Sequence, residues 1–342
     1  MPLTTNEAVS RTSLSRSFGE RLTNLLRAKE TGVLLALVLM SVALAGARPA
    51  FRTQRNLLNI GRQVSTVGIM AVGMTFMLAS AEIDLSVGST YAAAPCVAGL
   101  LMTKYDVNVW LSCLIGLLVG VGIGFVNGFF TTKGRLPSFI TSLGTMSIVR
   151  GLALLLTEAR PVTVGGGNLV GADADRFFFL GGGRLAGRIP MQFVWFIGVL
   201  IVGAVLLALT TYGFRVYAIG GNLRAAHLSG INVHRIKIVT FVLLGALCAL
   251  SGLLTLSFLG TVTATIGQGI ELDVISAAII GGAPMSGGGG TVPGTLIGAV
   301  LMGVLRNGLV LLGISPFWQT VAIGAVIILA VGLDRWFVRR EG

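Results

Sequence analysis

Charge is scarce in this chain. Only 11% of its 342 residues are Asp, Glu, Lys or Arg, 54% are apolar, and the mean hydropathy is +0.88. That leaves too little polar surface for a water-soluble protein of this length. Cysteine is limited to Cys96, Cys113 and Cys248, all inside apolar runs and without CxxC or Cys/His spacing. This excludes a disulfide framework and a metal site, and the three read as small packing residues. The only two histidines, His227 and His234, share one short polar segment, and no nucleophile and base pair stands out, which disfavours an intramembrane enzyme. A phosphate loop is missing as well: Gly287 to Gly290 lead into Thr291-Val292-Pro293-Gly294, without the lysine that reaches phosphate. The net charge of +12 does not indicate nucleic acid, because the bases are scattered among short loops and tails and form no stripe with aromatics.

Long apolar runs are what the sequence has instead. A window of about twenty residues, the length that crosses a hydrocarbon core of roughly 30 Å, predicts spans at residues 32–47, 64–81, 87–102, 109–128, 139–157, 191–209, 238–258, 273–283, 294–312 and 318–333. The expected fold is an all-α polytopic membrane protein of about ten transmembrane helices. The eighth run is too short to cross as a straight helix, so it reads as half of a broken helix or as a re-entrant segment. Residues 1–31 form a polar basic arm, 32–334 the transmembrane domain, and 335–342 a basic tail. The first span reads as retained, not as a cleaved signal.

The positive-inside rule sets both termini in the cytoplasm, with Lys133, Arg135, Arg215, Arg224, Arg235, Lys237, Arg335, Arg339 and Arg340 on that side. Arg48, Arg52, Arg55 and Arg62 break the rule, since they fall on the outside. An amphipathic segment at 56–63 lying flat at the interface is the expectation offered for them.

Acids inside apolar sequence are expensive, at roughly 3 kcal/mol per residue even on lenient insertion scales, and tend to face a bundle interior or a wet pathway. Glu82, Asp84, Glu271 and Asp273 are such residues, and with Ser86 and Thr90 they form the candidate pathway for a polar solute. Glu82-Ile83-Asp84-Leu85 and Glu271-Leu272-Asp273-Val274 repeat one order of acid and aliphatic, a faint sign of duplicated halves with helices broken at matching positions. A structural reading stands beside the functional one: Asp84 or Ser86 caps the following helix. Arg150 and Arg306 fall in or near spans and read as side chains extended to the interface, with Arg150 also a candidate gate or structural ion pair.

Glycines recur every fourth residue at Gly116, Gly120, Gly124 and Gly128 and again at Gly290, Gly294 and Gly298, which predicts close helix packing. Between two spans, Gly220-Gly221-Asn222 predicts a turn and cap, and Gly230 a left-handed stop, enclosing a two-turn helix with Arg224, Ala225 and Ala226. Such a helix reads as an ordinary turn or as a docking element for a cytoplasmic partner.

Several long motifs, in order from about residue 50 to 334, resemble the permease subunits of ribose-type bacterial ABC sugar importers. They are Met70-Ala71-Val72-Gly73-Met74-Thr75-Phe76, Ile83-Asp84-Leu85-Ser86-Val87-Gly88-Ser89, Ser142-Leu143-Gly144-Thr145-Met146-Ser147-Ile148-Val149-Arg150-Gly151, Ile219-Gly220-Gly221-Asn222, Leu228-Ser229-Gly230-Ile231 and Glu271-Leu272-Asp273 through Gly281-Gly282. The resemblance implies a multi-pass protein of the bacterial inner membrane that imports a monosaccharide or similar small polar solute by alternating access. It implies a second permease copy or close relative, an extracytoplasmic sugar-binding protein, and cytoplasmic ATPase subunits that carry the ATP and Mg, with no cofactor on this chain. Asn222, Arg224, Ala225, Ala226 and Gly230 would then couple to the ATPase. Two departures stand out: Ala81-Glu82 replaces a glycine-rich approach to Ile-Asp-Leu-Ser, and Arg224 stands where many members carry an acid. A proton-coupled secondary transporter using the same acids is the alternative, and a channel is a further one.

Overall fold

The computed structural model describes residues 29–165, 171–315 and 317–325, with the single residues 328 and 332. The basic arm, apart from residues 29–31, the basic tail and part of the tenth predicted span lie outside the described residues. The helices are α1 (Lys29–Ala47), α2 (Gln54–Ala79), α3 (Val87–Lys104), α4 (Val109–Thr132), α5 (Ser138–Leu156), α6 (Ala172–Gly182), α7 (Met191–Leu209), α8 (Thr211–Gly221), α9 (Leu223–Leu228), α10 (Val233–Leu259), α11 (Ile270–Ile280) and α12 (Val292–Leu311). Residues 317–325 are helical too. Six of these, α2, α4, α5, α7, α10 and α12, are long and apolar enough to cross a membrane. The protein is an all-α polytopic membrane protein.

Polar residues at the breaks set where helices start. Thr53, Asn108, Thr210, Asn222, Asn232 and Thr291 each accept an amide proton of the following helix with the side chain, which satisfies one donor the helix cannot use internally. The first span is therefore a helix, but the second begins ten residues earlier than hydropathy indicates. Arg55 and Arg62 depress the hydropathy of the first turns of α2 without interrupting its backbone. The segment 56–63 is thus part of one continuous helix and does not lie apart at an interface: Asn56 is buried and exchanges two amide hydrogen bonds of 2.9 Å with Asn307 of α12.

α2 and α10 form the centre, with 78% and 61% of their apolar windows buried, while α5 has only 17% buried. α4 runs antiparallel to α10 along its glycine ridge. A methyl group at Gly120 would lie 2.4 Å from the Gly245 carbonyl oxygen, and one at Gly124 would lie 2.3 Å from that of Phe241. The second ridge is shorter than the spacing predicts. Gly294 and Gly298 press on Gly281 and Ala277 of α11, but Gly290 precedes the helix at φ +106°. The outward faces of α5 and α7 expose Ile148, Leu152, Leu155, Ile201 and Leu209, the apolar belt expected where lipid takes the place of water.

Two small sheets close the end of the bundle remote from α9. β1 (Val162–Thr163) pairs antiparallel with β4 (Thr261–Val262), and β2 (Arg184–Leu185) pairs with β3 (Ile189–Pro190) in a hairpin. The loop predicted over 158–190 also carries α6, which docks on the end of α10. Ser257 Oγ donates to the Phe177 carbonyl oxygen and accepts from the Gly181 amide.

Candidate translocation and docking site

Both acidic motifs fall where a helix is interrupted, and the interruptions differ. The first, Glu82 to Leu85, is an irregular strap between α2 and α3. The second, Glu271 to Asp273, is the opening turn of α11. The sequence echo therefore has no matching backbone conformation.

The strap is gripped at its start by the two elements flanking α9. On one side Gly220, at the end of α8, lies so close to the end of α2 that a methyl group there would stand 1.9 Å from the Ala79 carbonyl oxygen. The same oxygen accepts from the Gly288 amide at 2.9 Å. Tyr217 of α8 donates to the Gly290 carbonyl oxygen at 2.5 Å, and burial raises its hydroxyl pKa, so it stays a neutral donor. On the other side Lys237, in the first turns of α10, forms an ion pair with Glu82, and both side chains are nearly buried. Helix α9 is the short helix expected. Asn222 Oδ1 accepts from the Ala225 amide at 2.9 Å, Gly230 follows at φ +77°, and Ala226 is buried while Leu223, Arg224 and Leu228 are exposed.

Farther along the strap, Asp84 is 3% exposed and fully engaged. Its Oδ1 accepts from the Ser86 amide at 2.7 Å and the Ser86 hydroxyl at 2.6 Å, and its Oδ2 accepts from Asn127 Nδ2 at 3.0 Å. The predicted cap takes a different form: Ser86 is the residue before α3 but makes no capping bond with its side chain, and Asp84 instead fixes the turn that leads to it. Ser89 and Thr90 are buried in the first turn of α3.

The strap ends beside the second acidic motif. A methyl group at Gly88 would lie 2.6 Å from Glu271 Oε2 and from the Gly267 carbonyl oxygen, and 3.4 Å from Arg150 Nη2. Arg150 does not reach out to an interface. Its Nη1 donates to the carbonyl oxygens of Ala264 at 2.6 Å and Ile266 at 3.0 Å, pinning the loop before α11. Glu271 Oε2 is buried without a hydrogen-bond partner.

Asp273 belongs to a different group. Two residues along a helix is roughly half a turn, so Asp273 points away from Glu271 and pairs with Arg306 Nη2 at 3.0 Å. Arg306 therefore bridges α12 to α11 as well as reaching outward. The pair lines a cavity of about 510 Å3 with Gln63, Thr66, Met302 and Gln319. Five of the six pathway candidates thus fall into four neighbourhoods, Glu82 with Lys237, Asp84 with Ser86 and Asn127, Glu271 beside Gly88, and Asp273 with Arg306, while Thr90 is buried in the first turn of α3. Sequence reasoning missed Asn127 and the partner role of Lys237. Asn127 carried one signal, an amide inside the apolar run that holds the glycine ridge.

Residues 56–331 match the family described as "Branched-chain amino acid transport system / permease component". The chain is 40% identical over 308 residues to the ribose import permease protein RbsC of Bacillus subtilis, covering 90% of this chain and 93% of that one. It is 40% identical over 302 residues to the ribose import permease protein of Escherichia coli K12, covering 88% and 92%. The L-arabinose transport system permease protein of Escherichia coli K12 is 37% identical over 305 residues, covering 89% and 90%. No solved structure matches the chain.

Proposed function

We propose that this chain, which belongs to the branched-chain amino acid transport system / permease component family, is the transmembrane permease subunit of an ABC importer for a monosaccharide. The observation that carries the cargo class is 40% identity over about nine tenths of the chain to ribose import permeases. It outweighs the amino-acid wording of the family description. A sugar is neutral and hydroxyl-rich, and the acids here suit it. Three of the four are already held by Lys237, by Ser86 and Asn127, or by Arg306, which leaves Glu271, with one unpartnered oxygen, as the acid open to a sugar hydroxyl.

In this reading α9 docks on a cytoplasmic ATPase that holds ATP and Mg. Asn222 and Gly230 set its ends, Ala225 and Ala226 form its body, and Arg224 lies on its contact rim. Exposed Leu223 and Leu228 leave apolar surface on α9 available for such a contact. Movement of α9 displaces α8 and α10 together, and both hold the strap that runs to Asp84 and Gly88. Glu82, Asp84, Ser86, Thr90, Glu271 and Asp273 border the alternating-access route, directly or by positioning it, and Arg150 acts as a gate by pinning the loop over Glu271. A second permease copy and an extracytoplasmic binding protein complete the importer, in the bacterial inner membrane with both termini cytoplasmic.

A proton-coupled carrier is the competing reading, favoured by the unpartnered oxygen of Glu271. Uptake of labelled ribose by cells carrying or lacking the gene separates them, with unlabelled arabinose and leucine as competitors. Importer function predicts ribose uptake that survives a protonophore while ATP is maintained, and a stoichiometric ATPase subunit with Walker motifs on purification in mild detergent. Uptake that follows the proton gradient after ATP depletion would reject the importer, and competition by leucine alone would reject the cargo class.

A further inference from the structure

Two of the four arginines that violate the charge rule, Arg55 and Arg62, line one cavity together with Arg184. Helix α2 starts at Gln54 and ends against Gly220 beside α9, so its first turns lie at the opposite end of the bundle from the docking helix. There a cavity of about 580 Å3 is lined by Gln54, Arg55, Leu58, Asn59, Arg62 and Arg184. Three cations and two carboxamides converge with no acid among them. Among the described residues, none of the three arginines has a carboxylate within 4 Å.

Arg62 is held by a ring contact and keeps one donor unpaired. Its guanidinium lies 5.1 Å from the centre of the Phe258 ring, a contact that fixes the plane of the group, and its Nε is buried without a hydrogen-bond partner. A planar guanidinium with free donors matches the paired oxygens of a phosphate.

The apolar residues around the cavity narrow the source of that phosphate. Leu58 is in the lining, Leu57 next to it in the chain is 52% exposed, and Leu185, which follows Arg184, and its hairpin partner Ile189 are 48% and 44% exposed. Leu185 and Ile189 face one another across the β2–β3 register. A basic pocket with an apolar shoulder suits an amphiphile, whereas an acidic water-soluble partner would engage the arginines and leave the shoulder uncovered.

We propose that this cavity binds the phosphate headgroup of an acidic phospholipid, with the acyl chains along Leu57, Leu185 and Ile189. The lipid neutralises Arg55, Arg62 and Arg184 locally, which reconciles their charge with their position at the end away from the docking helix. The site does not depend on the identity of the cargo.

The test uses the whole chain in a neutral detergent, with thermal unfolding followed during titration with dioctanoyl phosphatidylglycerol, dioctanoyl phosphatidylcholine or inorganic phosphate. The expected result is a saturable rise in Tm with phosphatidylglycerol alone. Arg55→Gln/Arg184→Gln alters two exposed side chains without disturbing the core, and should weaken the apparent affinity by about tenfold. Arg62→Lys keeps the charge but loses the planar fork, and should weaken it too. Equal shifts from phosphatidylcholine, or a native titration in Arg55→Gln/Arg184→Gln, would overturn the proposal. Inorganic phosphate that reproduced the full shift would make this a free-anion site. Displacement of phosphatidylglycerol by polyglutamate at low concentration would assign the cavity to an acidic protein.

Discussion

Replacing Lys237 with methionine isolates the link between the docking helix and the strap. The Lys237 and Glu82 side chains are 13% and 11% exposed, so the mutation leaves a nearly buried carboxylate without its one ion-pair partner among the described residues. Removing one member of a buried pair costs about 3–5 kcal/mol, whereas replacing both by apolar groups of similar volume is close to neutral. Lys237→Met should therefore lower the Tm by on the order of 10 °C, and Glu82→Met/Lys237→Met should recover most of it. Closing the cycle with Glu82→Met should give an interaction energy of about 2–3 kcal/mol. The functional half is measured on the importer reconstituted with its ATPase in liposomes. If the pair transmits movement, the double variant folds and its ATPase partner turns over, but sugar uptake falls. An interaction energy below about 0.5 kcal/mol would refute the buried pair, and native uptake by the double variant would refute its role in coupling.

Gly220→Ala places a methyl group 1.9 Å from the Ala79 carbonyl oxygen, while the same change at Gly221 brings its methyl no nearer than 3.9 Å to a neighbour. Uptake should be lost in the first and kept in the second, as measured by transport at matched membrane expression. Gly120→Ala forces α4 from α10 and should cost about 1–3 kcal/mol; Gly122→Ala, with nothing within 4 Å, should be neutral or stabilising by up to about 1 kcal/mol, and thermal unfolding compares them. Asp84→Ala strands the Ser86 amide and hydroxyl, at about 1–3 kcal/mol each, while Asn127 Nδ2 keeps its bond to Ser86 Oγ. Asp84→Asn should cost less in the same assay, because Asn127 Oδ1 has no partner and its amide can turn over to accept from the new one.

The features legible in the sequence are those set by near neighbours. Helix α9 could be placed because Asn222 and Gly230 cap it from either side. The α4 ridge could be placed because its glycines share one helix face. Contacts between distant parts of the chain had no such signal: Lys237 and Glu82 are 155 residues apart, and Asn56 and Asn307 are 251 apart. Hydropathy misplaced the start of α2 because it scores Arg55 and Arg62 as interruptions, although a helix backbone accommodates both. It missed α6 because Phe177 to Leu180 is too short a run to fill a membrane window, yet Phe177 is buried against α10. A span shows which residues are apolar and does not show what lies across from a cation, so neither the loop carbonyl oxygens that hold Arg150 nor the pairing of the partly exposed Arg306 with Asp273 has a signal in the sequence.

The placement of charge separates what holds this bundle from what remains available within it. Glu82, Asp84 and Asp273 each join two elements distant in sequence, through Lys237, Asn127 and Arg306. A buried acid in such a position costs less than an isolated one, and its loss exposes its partner as well. These three therefore resist substitution for reasons of folding, and a loss of transport on mutating them does not by itself mark contact with cargo. Glu271 is different: one of its oxygens is buried, unpartnered and beside Gly88, where the strap and the opening turn of α11 meet. Arg150 stands close by with Nη1 committed to two loop carbonyl oxygens. On the proposed function, the hydroxyl of a neutral solute would satisfy that oxygen without breaking any of the three bridges, so Gly88, Glu271 and Arg150 are the point at which we propose that cargo is sensed while the frame stays intact.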